Sequence, residues 1–248
     1  AKKHGDYILL LDADMKLMNV DKFDKKDLDG RGFSLKQCGS KLVYYNLRLV
    51  PSNVESKYVG VTHEYLSFAG KSENHKTLYI DDKGDGGCKA DKFTRDERLL
   101  RKGLEDEPGN ARYTFYLANT LKNLGKHDEA IRYYKLRQSI GGWDEEVFYS
   151  LYQIGNCYET LGKESLMEEA YLNAWEMRPT RAEPLYNLAK YFRIKGKHAR
   201  SWAYSIIGKR LDLPDDILFV HSDKYGIAFD RELSITSYYV PTADKSQS

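Results

Sequence analysis

The sequence predicts an α/β front part followed by an all-α helical solenoid. Residues 7–11, 42–49 and 58–66 form short apolar or alternating runs, which are typical of β-strands. From about Asn110 the hydrophobic period changes from two to 3.6, which is typical of helices. We therefore expect a front domain over residues 1–92, built on a mixed sheet with helices, then a helical domain over residues 93–240. The polar residues 241–248 are expected to form a disordered tail.

Composition and charge exclude several classes of protein. The net charge of +2 and the absence of a basic stripe argue against a nucleic-acid partner. The longest apolar run, Tyr7 to Leu11, is far too short to span a membrane, and the N-terminus lacks the apolar core of a signal peptide. Cys38, Cys88 and Cys157 have neither zinc-site nor disulfide spacing. A cytoplasmic protein with reduced thiols is expected.

The first candidate site is the end of the apolar run Tyr-Ile-Leu-Leu-Leu-Asp-Ala-Asp, residues 7–14. Such a run is typical of a strand buried on both faces of a parallel sheet, and ligands bind at the carboxyl ends of those strands. On an extended chain Asp12 and Asp14 point to the same side, and their oxygens suit Mg²⁺ or Mn²⁺. The alternative is a strand that ends in a solvated acidic turn. Because no βα unit precedes this strand, we expect that the N-terminal part of the domain is missing.

The second candidate is the pair His63 and Glu64 in the strand-like run from Tyr58 to Leu66. Neighbouring residues of a strand face opposite ways, so only one of the pair can face a given cleft unless the backbone turns between them. The alternative is a half-buried histidine beside a surface glutamate.

The third candidate is a glycine-rich segment that leads into a predicted helix. Its glycines permit positive φ angles, at which consecutive backbone N–H groups can bind an anion, and its basic residues could neutralise a diphosphate. The candidate anion-binding residues are Gly86, Gly87, Lys89, Lys92 and Arg95. Asp82 or Asp85 could reach a cation beside them. The alternative is a flexible surface loop that enters a capped helix.

The helical part consists of three units that align with one another. Their turn glycines are 37 and 34 residues apart, at Gly125, Gly162 and Gly196. A small residue recurs where the two helices of a unit would cross, at Ala118, Gly155 and Ala189. This spacing is that of the tetratricopeptide repeat.

Further helices are predicted on both sides of the repeats. One runs from Phe93 to Glu107, and a degenerate pair occupies residues 215–220 and 230–239. Tyrosines recur on the first helices of the repeats, where they either pack in the core or form a binding surface.

Two motifs resemble those of a known enzyme family. The run Asp-Tyr-Ile-Leu-Leu-Leu-Asp-Ala-Asp-Met, residues 6–15, resembles the strand and Asp-x-Asp motif of glycosyltransferase family 2. The segment Gly-Val-Thr-His-Glu, residues 60–64, is similar to one found in a branch of that family, which couples a GT-A domain to tetratricopeptide repeats. The stretch from Asp82 to Lys89 resembles the junction between the two.

The resemblance implies an inverting transfer of a sugar from a nucleotide-diphosphate sugar to a hydroxyl of a glycan or protein acceptor. Asp12 and Asp14 would hold a Mn²⁺ or Mg²⁺ ion and the donor, His63 and Asp82 would be further metal ligands, and Glu64 would be the catalytic base. The glycine-rich segment would bind the diphosphate. Family 2 domains bind the nucleobase with strands that precede the Asp-x-Asp strand, so this chain is expected to be an N-terminally truncated form that could be inactive alone.

The alternative function is that of a non-catalytic interaction module. In that interpretation the repeats bind a peptide or protein partner, and the front domain is a relic of a transferase.

Overall fold

The computed structural model describes residues 5–38, 42–83 and 91–240. The chain forms two compact units, Ala1–Leu100 with Ile217–Val220 and Arg101–Asp216 with His221–Ser248. They are named the strand unit and the repeat unit below. The expected tail, residues 241–248, lies outside the described residues. No helix in the described ranges has the length and apolar character needed to cross a bilayer.

The strand unit is built on a mixed sheet. Its strands are β1 (Tyr7–Leu9), β2 (Met15–Met18), β3 (Gly32–Cys38), β4 (Leu42–Pro51), β5 (Ser56–Val59), β6 (Tyr65–Phe68) and β7 (Ser72–Asp82). The order in the main sheet is β1-β4-β3-β7-β2. The strands β5 and β6 form a separate hairpin, and the short strand β8 (Val220–His221) pairs with β4. The β3–β7 pair is parallel, whereas β1–β4, β3–β4 and β2–β7 are antiparallel.

The core of the strand unit lies on one face of β3, β4 and β7. Phe33 and Leu35 alternate along β3 and pack with Leu49, Leu78 and Ile80. These five side chains are buried.

Two expectations for the front part are wrong. The run from Tyr7 is not a parallel strand buried on both faces. Strand β1 is three residues long, pairs antiparallel with β4 and is the terminal strand in the order of the main sheet. Leu9 and Leu11 are 37% and 39% exposed. An apolar run predicts burial but contains no information about the direction of pairing. Among described residues 5–83 the only helices are two short 3-10 turns, Val20–Lys22 and Lys25–Asp27, where α-helices had been expected.

The described helices pair as the repeat spacing predicts. They are α1 (Lys92–Asp106), α2 (Ala111–Asn123), α3 (His127–Ile140), α4 (Asp144–Thr160), α5 (Glu164–Met177), α6 (Glu183–Ile194), α7 (His198–Lys209) and α8 (Ile227–Thr236). Each of the three turn glycines joins the two helices of one repeat. Their φ angles are +75°, +69° and +71° at Gly125, Gly162 and Gly196, a region that glycine adopts without strain.

The small-residue position is confirmed as the place where paired helices touch. Ala118 and Ala189 are completely buried. At Gly155 an added Cβ would lie 2.4 Å from Cδ1 of Tyr171 on the partner helix. The tyrosine ring therefore occupies the space that a larger residue would need.

The region after the third repeat differs from the expected helix pair. Residues 215–219 form no helix, and α8 begins at Ile227. Asp216 instead accepts hydrogen bonds from Arg178 (Nε to Oδ2, 2.6 Å) and Arg181 (Nη1 to Oδ2, 3.0 Å). These ion pairs fix a non-helical segment that hydrophobic periodicity could not reveal.

The close contact at Gly155 gives a stability prediction. Gly155→Ala should lower the free energy of unfolding of the repeat unit by about 2 kcal/mol, because overpacking a core outweighs the gain in helix propensity. Urea unfolding followed by far-UV circular dichroism measures the change. Lys135→Ala, at an exposed helical position, is the control and should stay within about 0.5 kcal/mol. A Gly155→Ala variant as stable as the wild type would contradict the close approach of α4 and α5.

Candidate functional site

Asp12 and Asp14 lie in a turn and not on an extended strand. Residues 13 and 14 are turn residues, and the Met15 N–H donates to the Asp12 carbonyl at 3.1 Å. The geometry that would direct both carboxylates to one side is therefore absent. The Asp12 carboxylate is 60% exposed and pairs with Arg48, with 3.2 Å between Oδ2 and Nη2.

Arg48 connects Asp12 to a buried hydrogen-bond network in the strand unit. At its centre is Gln37, which is completely buried and follows Leu35 on the core face of β3. Its Oε1 accepts from Asn46 (2.6 Å) and Arg48 (3.5 Å). Its Nε2 donates to Oδ2 of Asp82 at 3.3 Å.

Tyr44 completes this network, since its hydroxyl accepts from Gln37 (3.3 Å) and donates to Asp82 (3.2 Å). The six side chains are named the polar cluster: Asp12, Gln37, Tyr44, Asn46, Arg48 and Asp82. Two predicted site residues, Asp12 and Asp82, thus belong to one network. Gln37 and Arg48 were missed, although a glutamine that continues the buried alternation of β3 is a signal that the sequence contains.

His63 belongs to a different group of side chains. The run from Tyr58 to Leu66 is not one strand, because β5 and β6 are joined by a loop in which His63 has a φ of +49°. His63 Nε2 lies 3.8 Å from Oδ2 of Asp96, and Thr62 donates to Oδ1 of the same carboxylate at 3.0 Å. Glu64 is exposed.

Asp96 is the most unusual residue of this second group. It is completely buried, and its Oδ2 forms no hydrogen bond with the residues that the structure describes. Arg95 lies 3.6 Å from its other oxygen. Burying an ionised carboxylate lowers the stability of the fold unless a positive charge is close to it. Among the ion pairs of the described residues, His63 is the side chain nearest to the unbonded oxygen, at 3.8 Å. Asp96 was not predicted as a site residue, because in the sequence it is one charge among many.

The predicted metal ligands do not form a metal site in the described part of the chain. There, no three His, Cys, Asp or Glu side chains are arranged so that they could hold a metal ion. Asp12 and Asp82 belong to the polar cluster, whereas His63 lies beside Asp96. Asp85, Gly86, Gly87 and Lys89 lie outside the described residues. Lys92 and Arg95 are exposed in the first turn of α1.

The repeat unit contains a cavity of about 570 Å³. The first helices of the three repeats supply most of its lining, and the segment after the third repeat supplies the rest. The lining residues are Lys122, Tyr149, Tyr152, Gln153, Asn156, Glu159, Thr160, Asn187, Lys190, His221 and Lys224. This cavity is named the groove.

A hydrogen-bonded floor holds the polar side chains of the groove in place. Asn187 Nδ2 donates to the Tyr152 hydroxyl (3.1 Å) and to Asn156 Oδ1 (3.0 Å). Asn156 Oδ1 also accepts from the hydroxyl of Tyr171 at 2.8 Å. Because these groups fix one another, the groove presents preset donors and acceptors.

The segment after the third repeat is fixed at the groove by Glu183. This buried carboxylate accepts from the backbone N–H of His221 (3.1 Å) and from the hydroxyl of Tyr225 (2.8 Å). Arg181 is its charge partner, with 2.8 Å between Nη2 and Oε1. Burial alone would raise the pKa of Glu183, but the guanidinium of Arg181 lowers it below its usual value. Lys224, between the two anchored residues, is thereby directed into the groove.

Lys224 donates to the hydroxyl of Tyr152 and to Asn187 Oδ1, the latter at 2.9 Å. Its Nζ lies 5.1 Å from the centre of the Tyr152 ring. Burial lowers the pKa of Lys224, and that of Lys122 as well. The repeat tyrosines mainly pack in the core, as Tyr113 and Tyr152 do at 6% and 2% exposure, and Tyr149 and Tyr152 also border the groove. The three lysines of the lining were not predicted, because their proximity depends on the fold.

The groove also makes the stability of the repeat unit sensitive to acid. Burial lowers the pKa of His221 to about 4, so between pH 7 and 5 the unfolded chain takes up a proton that the folded chain excludes. The free energy of unfolding should therefore fall by about 2 kcal/mol more in the wild type than in His221→Gln over this range. Urea titrations at both pH values measure the difference. Equal losses in the two proteins would contradict the burial of a neutral imidazole.

Comparison with known proteins supports the repeats. Residues 99–132 and residues 148–181 each match a family model described as tetratricopeptide repeat. A search of curated proteins found no match. Similar solved structures include MamA, with 16% identity over 59% of this chain and 78% of that chain, at a TM-score of 0.47.

Two further solved structures have similar values. The C-terminal part of a TPR repeat-containing protein from Cytophaga hutchinsonii has 17% identity over 60% of this chain and 54% of that chain, at a TM-score of 0.48. YrrB, described as a TPR protein with an unusual peptide-binding site, has 13% identity over 63% of this chain and 73% of that chain, at a TM-score of 0.45. On the two family matches, the chain carries tetratricopeptide repeats.

Proposed function

We propose that the repeat unit is a protein-interaction module that binds a peptide segment in the groove. The observation that carries this proposal is a polar cavity formed by the first helices of three tetratricopeptide repeats. Its volume of about 570 Å³ is within the range of pockets that enclose a ligand.

The chemistry of the lining suits a peptide. Glu159, Thr160 and Lys190 are exposed in the lining and offer donors and acceptors that match the N–H and C=O groups of a peptide backbone. Tyr149 and Tyr152 border the groove but pack in the core behind it, so they form a rigid wall. Since the floor is already hydrogen-bonded, little side-chain entropy is lost when a peptide enters.

Blocking the groove tests this proposal. Peptides selected from a random displayed library on the whole chain should bind Thr160→Trp at least ~10-fold more weakly than the wild type, because Thr160 is an exposed residue of the lining. Isothermal titration calorimetry measures the affinities. Ser139→Trp places the same bulk at an exposed end of α3 and should bind as the wild type does. Selected peptides that bind all three proteins equally, or a library that yields no binder, would overturn the proposal.

We infer a second function for the strand unit, namely sugar transfer from a nucleotide-diphosphate sugar to an acceptor hydroxyl. The resemblance of residues 6–15 and 60–64 to glycosyltransferase family 2 supports it, and the observation that favours it is the polar cluster. There the guanidinium of Arg48 pairs with Asp12, and it could bind a phosphate of the donor if that phosphate displaced the carboxylate. Glu64, exposed in the loop before β6, remains the candidate base. The described residues supply no three-ligand group for Mn²⁺ or Mg²⁺.

Turnover tests the second function. The chain, incubated with Mn²⁺ and a panel of UDP- and GDP-sugars, should release UDP or GDP, and Asp14→Asn should abolish the release because it removes a charge of the Asp-x-Asp motif. Asp21→Asn, an exposed aspartate in a 3-10 turn, is the control and should leave turnover unchanged. No release from any donor, or undiminished release by Asp14→Asn, would count against a transferase.

A further inference from the structure

Strand β7 contains a bulge opposite the middle of β3. Between Asn74 and Tyr79 the register of β7 with β3 shifts, so that the four residues 75–78 face only Leu35. The pairing of β7 with β2 likewise covers only the part of β7 from Tyr79 onwards. Residues in a bulge lose the regular ladder of the sheet, and their buried N–H groups then need acceptors from elsewhere.

His75 supplies such an acceptor from within the bulge. Its Nδ1 accepts from the backbone N–H of Thr77 (3.1 Å) and from that of Leu78 (3.0 Å). A ring nitrogen that accepts carries no proton, so these hydrogen bonds assign the proton of the neutral imidazole to Nε2. The side chain is 9% exposed, and its ring packs edge-on against Phe33 with 5.3 Å between the ring centres. A neutral imidazole, fixed by packing, therefore holds the bulge.

The surroundings of His75 favour its neutral form. Burial lowers the pKa of the imidazole and outweighs the charges of Asp27, in the second 3-10 turn, and Glu73, on β7 itself, which act in the opposite direction. Glu73 also pairs with Arg31. Phe23 adds an uncharged ring 5.8 Å away. The imidazole is thus neutral at pH 7.5, and it takes up a proton only below the ordinary histidine value of about 6.5.

Protonation of His75 is incompatible with the bulge. Nε2 of the neutral ring already carries a proton, so the next proton must bind Nδ1. It removes the acceptor of two N–H groups and directs a third N–H group at them. Either the ring turns out of its site or the bulge rearranges, and both changes release the N–H groups of Thr77 and Leu78.

The bulge determines which side chains of β7 reach the core and the polar cluster. Beyond it, Ile80 is paired with Gln37 and completely buried, while Asp82 accepts from Gln37 and from Tyr44. A slip of one residue would move every side chain in this part of β7 to the other face of the sheet. Ile80 would then leave the core and Asp82 would leave the polar cluster.

We propose that His75 is a pH-sensitive switch that sets the register of β7. The neutral ring holds the bulge, and protonation in mild acid releases Asp82 from the polar cluster. The switch is closed above about pH 6.5 and opens as the pH falls, because the folded chain binds the proton less readily than the unfolded chain does. This inference concerns the strand unit alone and depends neither on peptide binding nor on sugar transfer.

Two variants separate the acceptor from its titration. His75→Asn keeps an acceptor, since an asparagine oxygen can accept from the backbone N–H two residues further on, but it has no proton to gain. His75→Phe keeps a ring of similar size and has no acceptor. Hydrogen exchange of the Thr77 and Leu78 amides is measured by NMR on the whole chain, as protection relative to the unfolded chain at the same pH.

Only the wild type should respond to acid. Its protection at the two amides should fall ~5-fold or more between pH 7.5 and 5.0, whereas that of His75→Asn should change less than ~2-fold. The side-chain amide signals of Gln37, which donates to Asp82, should shift over the same pH range in the wild type. His75→Phe should show low protection at both pH values.

Three results would overturn the inference. The first is an equal response to pH in the wild type and in His75→Asn, because other groups would then be responsible. The second needs no variant and therefore applies even if neither variant folds: the Cε1–H signal of His75 titrates while the signals of Thr77, Leu78 and Gln37 stay constant. The third is a nitrogen-15 spectrum that places the proton of the neutral ring on Nδ1.

Discussion

The buried ion pair between Arg181 and Glu183 is the interaction on which the repeat unit depends most. Both side chains are almost completely inaccessible to solvent, and an isolated charge at either position would be costly. Arg181 also pairs with Asp216 and lies over the ring of Phe148 in α4, 4.5 Å from its centre. Two separate parts of the chain are therefore fixed at the start of α6.

The groove follows from this anchoring. Glu183 holds the backbone of His221 and the hydroxyl of Tyr225, so the residues between them cannot move away from α6 without leaving a buried carboxylate partly unsatisfied. Lys224 is one of those residues. An interaction that stabilises the fold thus also determines where a cation lies in the groove.

The repeats could be predicted from the sequence because their contacts are local. Each helix pair needs a turn glycine and a small residue at the crossing, and both recur at a regular spacing, as at Gly162 and Gly155. The sheet could not be predicted in the same way, since the partners of its strands are far apart in sequence. Nothing in residues 7–14 indicates an antiparallel partner at residues 49–51. The same limit applies to the groove, where Lys224 reaches Tyr152 across 72 residues.

Departures from regularity are the features that suggest function in both units. Gln37 places an amide where the β3 pattern calls for an apolar residue, and it joins Asp12 to Asp82 through the polar cluster. Lys190 occupies the position at which the first two repeats have Asn119 and Asn156, which accept hydrogen bonds from Tyr134 and Tyr171. A polar or charged group that costs stability is retained when something other than folding requires it. The network of the polar cluster satisfies Gln37 internally. Lys224 in the groove also has internal partners, since it donates to Tyr152 and Asn187 and lies near the carboxylates of Glu183 and Asp223, but burial still lowers its pKa.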